Sequence, residues 1–159
     1  TVREIVEYIL SELLEHLNLD RALLYLNIDQ SHLHLFSVKE RGKDNSAERS
    51  SESSIDMPLD PEAGLTARAA VEGKAYNITH PEHSSLINKE LAQQIGLNPF
   101  ALAPLQLRNR NIGVIGIDRS SKNGSINTEE FQVLQMFANQ AAISIEGLKQ
   151  MDPDFYTNS

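Results

Sequence analysis

Two glycines interrupt an apolar stretch, "NRNIGVIGIDRS", at residues 109–120. Such glycines could form a loop that binds phosphate through consecutive backbone N–H groups, but that site needs a strand-to-helix turn. Gly113 and Gly116 are flanked by isoleucines and valine, and no helical pattern follows for about ten residues. A strand that is apolar throughout is covered on both faces, and a glycine in it admits a close neighbour. The pattern therefore predicts glycines inside a buried strand.

Four histidines form two closely spaced pairs that could hold a metal ion. His32 and His34 lie two residues apart on a predicted strand and point to one face. The sequence offers no obvious third donor, so we interpret them as partly exposed or hydrogen-bonded strand residues. His80 and His83 lie three residues apart across Pro81. Three interpretations stay open for that pair: the edge of a metal site, a ligand contact, or a plain surface loop.

Two pairs of carboxylates could support acid–base catalysis: Asp60 with Glu62, and Glu129 with Glu130. Each pair also has a structural explanation, because acidic residues at the start of a helix stabilise its dipole. No serine lies in a G-x-S-x-G elbow, and a chain without cysteine has no thiol nucleophile. We therefore expect no enzyme activity.

Composition limits the remaining classes of function. The net charge is −8, and the 14 lysines and arginines are scattered, so no basic surface for nucleic acid is expected. No stretch reaches the ~20 apolar residues of a membrane span, and no signal-peptide pattern opens the chain. We expect a cytoplasmic protein without nucleic-acid or membrane partners. The first residue is Thr1 rather than Met, which we interpret as a piece of a longer protein or a chain whose start has been removed.

The hydrophobic pattern predicts the elements that must position these residues. Helices are predicted over 2–17, 61–73 and 85–96 and from Asn127 onward, and strands over 21–29, 31–38, 55–60, 74–80, 100–107 and 112–118. The polar segment 39–54 predicts a mobile loop, and "RNRN" at 108–111 predicts a hairpin turn. Pro153 ends the last helix. We expect one domain over residues 1–152 and a tail over 153–159.

The last helix carries a start signal and a narrow apolar seam. Asn127 followed three residues later by Glu130 predicts a capping box. Further along, small and apolar residues recur at alternating steps of four and three, a spacing suited to close packing of two helices. The seam consists of Leu134, Ala138, Ala141, Ile145 and Leu148. We predict that it forms the interface of a homodimer.

With elements in this order, three stretches resemble the GAF domain family: "IDMPLDPEAGLTARAAVEGKAYNIT", "ALAPLQLRNRNIGVIGIDRS" and "INTEEFQVLQMFANQAAISIEG". The resemblance implies an α+β, GAF/PAS-like fold with a central antiparallel sheet of about six strands. The N- and C-terminal helices would lie on one face, and short helices and loops would enclose a pocket on the other. It implies a regulatory sensor module of a multidomain bacterial signal-transduction protein, which binds a small molecule and relays to a fused output domain through its terminal helices. The alternative is a ligand-free, GAF-like dimerisation scaffold.

The resemblance also implies which residues line the pocket. They are Phe36, Val38, Leu65, Thr66, Asn77, His80, His83 and Gly116. Members that bind cyclic nucleotides tend to carry an acidic residue where Gly116 stands, which argues against cyclic AMP or GMP and leaves the small-molecule ligand unidentified. Arg119 and Glu130 could replace the lysine–acid pair of those members, and an exposed ion pair is worth ~0–1 kcal/mol. Bilin attachment through a GAF cysteine is excluded, because the chain has none.

Overall fold

The computed structural model describes residues 1–42, 56–81, 84–85 and 98–151. Its helices are α1 (Val2–His16), α2 (Leu65–Glu72) and α3 (Thr128–Met151). Its strands are β1 (Arg21–Asn27), β2 (His32–Glu40), β3 (Asp56–Pro58), β4 (Tyr76–Ile78), β5 (Phe100–Leu107) and β6 (Arg110–Asp118). The predicted helix over 85–96 falls almost wholly outside the described residues, as do the tail and most of the predicted 39–54 loop. β2 continues two residues into that predicted loop.

The six strands form one antiparallel sheet in the order β3-β2-β1-β6-β5-β4. This confirms the predicted α+β architecture. The two longest neighbouring strands, β5 and β6, form a hairpin whose register runs from Phe100 opposite Asp118 to Leu107 opposite Arg110. Directly paired residues in an antiparallel sheet share a face, so the register assigns each side chain to one side of the sheet.

One side of the sheet, here called the back face, is covered by α1 and α3. The central strands contribute apolar side chains to this face, and together with the inner stripes of both helices they form the larger core cluster. Two rows of paired residues on this face are Ala22–Ile117–Ala101 and Leu24–Ile115–Ala103. Full burial of each large aliphatic side chain contributes about 1.5–3 kcal/mol, so this layer anchors the terminal helices, as predicted.

The opposite side, here called the front face, carries a smaller apolar cluster. α2 packs on β5 and β6 there, and its alanines, Ala69 and Ala70, are buried in the contact. Small side chains let the helix approach the sheet closely. The helix ends at Gly73, whose φ of 66° and ψ of 36° are left-handed and confirm the predicted glycine cap.

Two turns illustrate how local sequence sets local structure. The β5–β6 hairpin turns on two residues, Arg108 (φ 53°) and Asn109 (φ 65°), so the four-residue turn predicted at "RNRN" was too long. The positive φ of both residues matches the twist of the adjoining strands. At the start of α3, the N–H of Glu130 donates to the side-chain oxygen of Asn127 (2.8 Å), and the N–H of Asn127 donates to the Glu130 carboxylate (3.0 Å). This reciprocal pair confirms the predicted capping box.

Both glycines of the "NIGVIGID" stretch lie within β6, which confirms them as strand glycines. A Cβ on Gly113 would collide with the backbone carbonyl oxygen of Tyr25 on β1. A Cβ on Gly116 would lie 3.1 Å from the flexible side-chain ends of Leu23 and Leu102. The two positions therefore differ in what surrounds them: backbone at the first, side chains at the second.

We expect Gly113→Ala to lower the free energy of unfolding by about 2–3 kcal/mol, because β1 and β6 must separate locally to admit the methyl group. Gly116→Ala should cost less than about 1 kcal/mol, since two leucines can shift their rotamers. Urea denaturation of both variants measures the difference. Equal losses at the two positions would contradict the assignment of the close backbone contact to Gly113.

Candidate functional site

The candidate ligand site is the front face of the sheet beside the N-terminus of α2. Gly64 precedes that helix with a φ of 152°, a conformation that favours glycine. Leu65, the first residue of α2, is buried in the front cluster, and Thr66 beside it is half-buried. Two of the predicted site residues therefore lie where a ligand on this face would meet the start of the helix.

A row of paired residues crosses the front face below them. Val38 pairs with Leu23, Leu23 pairs with Gly116, and Gly116 pairs with Leu102. The structure therefore places Val38 and Gly116 on one face. The side chains of Leu23 and Leu102 lie 3.1 Å from where a Cβ on Gly116 would stand, and the predicted site omitted both. The period of two along each strand, applied outward from Gly116, could have identified both.

Phe36 does not belong to this site, and its predicted role is wrong. The register of β1 with β2 shifts between Leu24, opposite Ser37, and Tyr25, opposite Leu35, so Phe36 is an extra residue. A bulge of this kind breaks the alternation of faces. Phe36 packs with the back-face core, where the guanidinium of Arg3 lies 4.2 Å from its ring centroid.

The three remaining predicted residues fall differently. Asn77 pairs with Ala101 of the back face. Its side-chain NH₂ donates a hydrogen bond of 2.8 Å to the carbonyl of Ile126, in the segment before α3, and does not line the front face. His80 is exposed after β4, with its Nδ1 3.0 Å from the hydroxyl of Thr79. His83 lies outside the described residues.

One charged pair lies at the edge of the front face. The guanidinium of Arg21 contacts the carboxylate of Asp118 at 2.7 Å and 2.8 Å, through Nη2 and Nε. Burial raises the pKa of Asp118 above its ordinary value, and the neighbouring Arg21 partly offsets that rise. The two side chains satisfy each other, so neither offers an unpaired charge to a ligand.

The seam predicted as a dimer interface lies instead in the chain's own core, which corrects that prediction. Leu134, Ala138, Ala141 and Ile145 are at most 1% exposed, and Leu148 packs against the same cluster. The spacing correctly predicted that this face of α3 packs closely, but its packing partners are the sheet and α1. The apolar residues that α3 leaves exposed are Met136, Ile143 and Met151.

Arg119 forms the most heavily bonded polar cluster of the described structure. Its side chain is 7% exposed and its five N–H groups have five acceptors, of which two are the carboxylate oxygens of Glu130, at 2.5 Å and 3.1 Å. The others are the carbonyls of Leu17, Asn18 at 3.3 Å and Ser125 at 3.2 Å. The expected Arg119–Glu130 pair is therefore present, with a buried guanidinium and a carboxylate whose side chain is 21% exposed.

This cluster makes stability depend on pH. The hydrogen bond from Arg119 holds the pKa of Glu130 below its ordinary value of 4.5. A carboxyl with a lowered pKa stabilises the fold above that ordinary value, and the contribution fades as the pH falls through the lowered pKa. We expect Glu130→Gln to reduce stability at neutral pH and to flatten its decline below pH 4.5. Urea titrations between neutral pH and pH 3 measure this, and an unchanged acid limb would contradict it.

The first histidine pair is engaged in ordinary contacts. The Nδ1 of His34 on β2 contacts the carboxylate of Asp56 on β3, and the Nδ1 of His32 lies 2.9 Å from the Ser31 hydroxyl. Within the described ranges, no three side chains of His, Asp or Glu come together as a metal site would require. None of the helices in those ranges is both long and apolar enough to cross a membrane.

Comparison with known proteins places this geometry in context. The family model described as GAF domain matches residues 1–145. A methyl-accepting chemotaxis protein fragment, residues 122 to 287, superposes with a TM-score of 0.78 at 17% identity, covering 96% of this chain and 93% of the other. The GAF domain/HD domain protein from Geobacter sulfurreducens gives 0.77 at 16%, covering 94% of both chains.

The GAF domain of a phosphoenolpyruvate-protein phosphotransferase from Coxiella burnetii is also similar, with a TM-score of 0.77 at 14% identity over 95% of this chain and 86% of that one. Identities this low show a shared fold and leave ligands undetermined. Comparison with curated protein sequences gives no significant match.

Proposed function

The chain belongs to the GAF domain family, and from that premise we propose that it is a regulatory sensor module of a multidomain signal-transduction protein. It binds a small molecule on the front face of the sheet, beside the start of α2. Binding shifts α1 and α3 on the back face, which relay the change to a fused output domain. Such a relay requires that the ligand bind two arrangements of these helices with different affinity.

The observation that carries this proposal is the separate apolar cluster on the front face. Leu65 and Leu102 belong to this cluster, and Leu102 pairs with Gly116 in the row that continues through Leu23 to Val38. Ligand sites are typically apolar concavities with few polar groups. Thr66, half-buried at the start of α2, supplies a hydroxyl beside this region.

The chemistry of this face favours a neutral apolar or aromatic ligand. Across the described part of the sheet, the charged residues of this face are Arg21, Asp118 and Glu40; Arg21 is paired with Asp118 and lies opposite Glu40 in the register. Displacing that pair would leave a buried carboxylate without its partner, which is costly. Gly116 offers no side chain to hydrogen-bond a purine edge. These features disfavour cyclic nucleotides, in agreement with the sequence.

A thermal-shift screen tests the proposal, using neutral aromatic compounds, amino acids and cyclic nucleotides with the whole chain. A ligand at about 100 times its Kd stabilises a protein by ~2.7 kcal/mol. That gain raises the melting temperature of a domain of this size by several degrees. We expect a hit among the neutral aromatic compounds.

A matched pair of variants locates the hit. Val38 is buried on the front face, whereas Val71 on α2 is 48% exposed. Val38→Phe should abolish the thermal shift by filling the site, and Val71→Phe should preserve it. If no compound stabilises the protein, or Val38→Phe leaves the shift intact, the proposed site is wrong.

A second function, dimerisation, is favoured by the outer side of α3. Met136 and Ile143 lie two turns apart and are 67% and 55% exposed. An exposed apolar stripe suits contact with a second copy of the chain. Light scattering on the Met136→Glu, Ile143→Glu double variant tests this, because both changes leave the core intact. A native dimer that survives them does not use this stripe.

A further inference from the structure

A cleft of about 440 Å³ opens on the back side of the sheet, between the β5–β6 hairpin turn and the last turns of α3. Its volume falls in the ~300–1,000 Å³ range typical of small-molecule sites. The cleft is separated by the sheet from the front-face site, since α3 covers the back face. It therefore needs its own explanation.

Three apolar residues line part of the cleft. Leu107 and Ile112 come from the hairpin, and Ile143 comes from α3. The register of β5 with β6 shifts after Leu105, so Ile112 is an extra residue that packs toward the helix side. This second bulge supplies apolar surface at the end of a sheet where a solvent-exposed hairpin turn would otherwise be polar.

The rim of the cleft carries an excess of positive charge. Arg110 lies 3.4 Å from the carboxylate of Glu146, whose side chain is only 12% exposed. Arg108, in the turn, lines the cleft and has no ion-pair partner among the described residues. Two arginines against one glutamate leave one positive charge in a chain whose net charge is −8. An anionic ligand group matches this rim.

Gly147 gives an independent indication that the space is kept open. It lies within α3 and lines the cleft, and a Cβ built on it would meet no atom within 4 Å. Glycine is among the least favourable residues inside a helix. Neither a left-handed backbone nor a close neighbour requires it here. A side chain at this position would occupy open space where Gly147 lines the cleft. The glycine therefore lowers the stability of the helix and leaves that volume free.

We propose that this cleft is a second ligand site, which binds a small carboxylic acid with an apolar or aromatic body. The carboxylate pairs with Arg108 at the hairpin turn, and the body lies over Ile112 and Ile143 beside Gly147. The inference does not rest on the sensor site of the front face, because it uses different residues on the other side of the sheet.

Indole-3-acetate and its uncharged analogue indole-3-acetamide provide matched probes. The chain contains no tryptophan, so indole fluorescence reports on the probe directly. We expect saturable binding of the acid at least about tenfold tighter than that of the amide. In two-dimensional NMR of the whole chain, the shifted amides should lie in the hairpin turn and in the last turns of α3.

Two pairs of variants keep the test specific. Arg108→Asn removes the charge while retaining a residue that tolerates the left-handed turn. This variant should lose the preference for the acid over the amide. Arg108→Lys should keep most of that preference. Gly147→Leu should weaken binding at least about tenfold by filling the space, whereas Gly147→Ala should change it little.

Several results would overturn the proposal. They are equal affinity for acid and amide, binding unaffected by Gly147→Leu, and the absence of saturable binding up to about 5 mM of the acid. Shifted amides confined to β1 and α2 would assign the probe to the front face. That outcome would refute the second site and leave the sensor proposal intact.

Discussion

Replacing Arg119 with alanine should lower the free energy of unfolding by about 3–5 kcal/mol, a large part of the ~5–15 kcal/mol typical of a domain. The guanidinium donates to five acceptors in a nearly solvent-free position. Without it, three backbone carbonyls lose the hydrogen bond from the guanidinium, and the Glu130 carboxylate keeps the bond from the N–H of Asn127. Removing one partner of a buried ion pair costs more than the pair contributes, because the remaining groups stay desolvated.

Chemical denaturation with Arg110→Ala as the matched control measures this effect. Arg110 also pairs with a glutamate, but its side chain is 52% exposed. Its contacts with the Glu146 carboxylate, which is 12% exposed, are 3.4 and 3.5 Å long, so this control should lose less stability than Arg119→Ala. Arg119→Lys should fall between the two, since one ammonium cannot reproduce a planar fork of five donors. A loss below about 1 kcal/mol for Arg119→Ala would contradict the role of the cluster.

Leu134→Glu should leave the protein unfolded or molten at room temperature. The side chain is fully buried at the contact of α3 with the sheet and α1. Truncating such a leucine alone costs about 2–5 kcal/mol. Glutamate adds the cost of an unpaired charge in an apolar core. Circular dichroism and the dispersion of NMR amide signals would show the loss directly.

Ile143→Glu on the same helix is the matched control. Its side chain is 55% exposed, and we expect a change within about 1 kcal/mol. The pair separates two interpretations of α3, because a seam that faced a second copy would tolerate the charge in a folded monomer. A folded, monomeric Leu134→Glu variant would contradict the intramolecular packing described above.

The fold could be read from the sequence wherever local chemistry determines it. Asn127 and Glu130 bring together both halves of a capping box within four residues. Gly73 alone supplies the left-handed end of α2. The isoleucines that flank Gly113 and Gly116 indicate a buried strand and argue against a phosphate-binding loop. In each case the interacting groups are close along the chain, so no tertiary information is needed.

The site was harder to predict because it depends on register and on which neighbour a surface meets. The family resemblance predicts Phe36 on the front face. A β-bulge in β2 turns its side chain to the back face, and a bulge cannot be recognised from the composition of a strand. Asn77 has the polarity of a ligand contact, but its partner is a carbonyl 49 residues away. The α3 seam gave the correct periodicity but not the identity of the packing partner.

The Arg119 cluster joins the end of α1 to the start of α3 through a single side chain. The C-terminal end of α1 is therefore held to the N-terminal end of α3 at one pin. The residues farthest from that pin along the two helices are Val2 and Met151. A small rotation at the pin would become its largest displacement at those far ends.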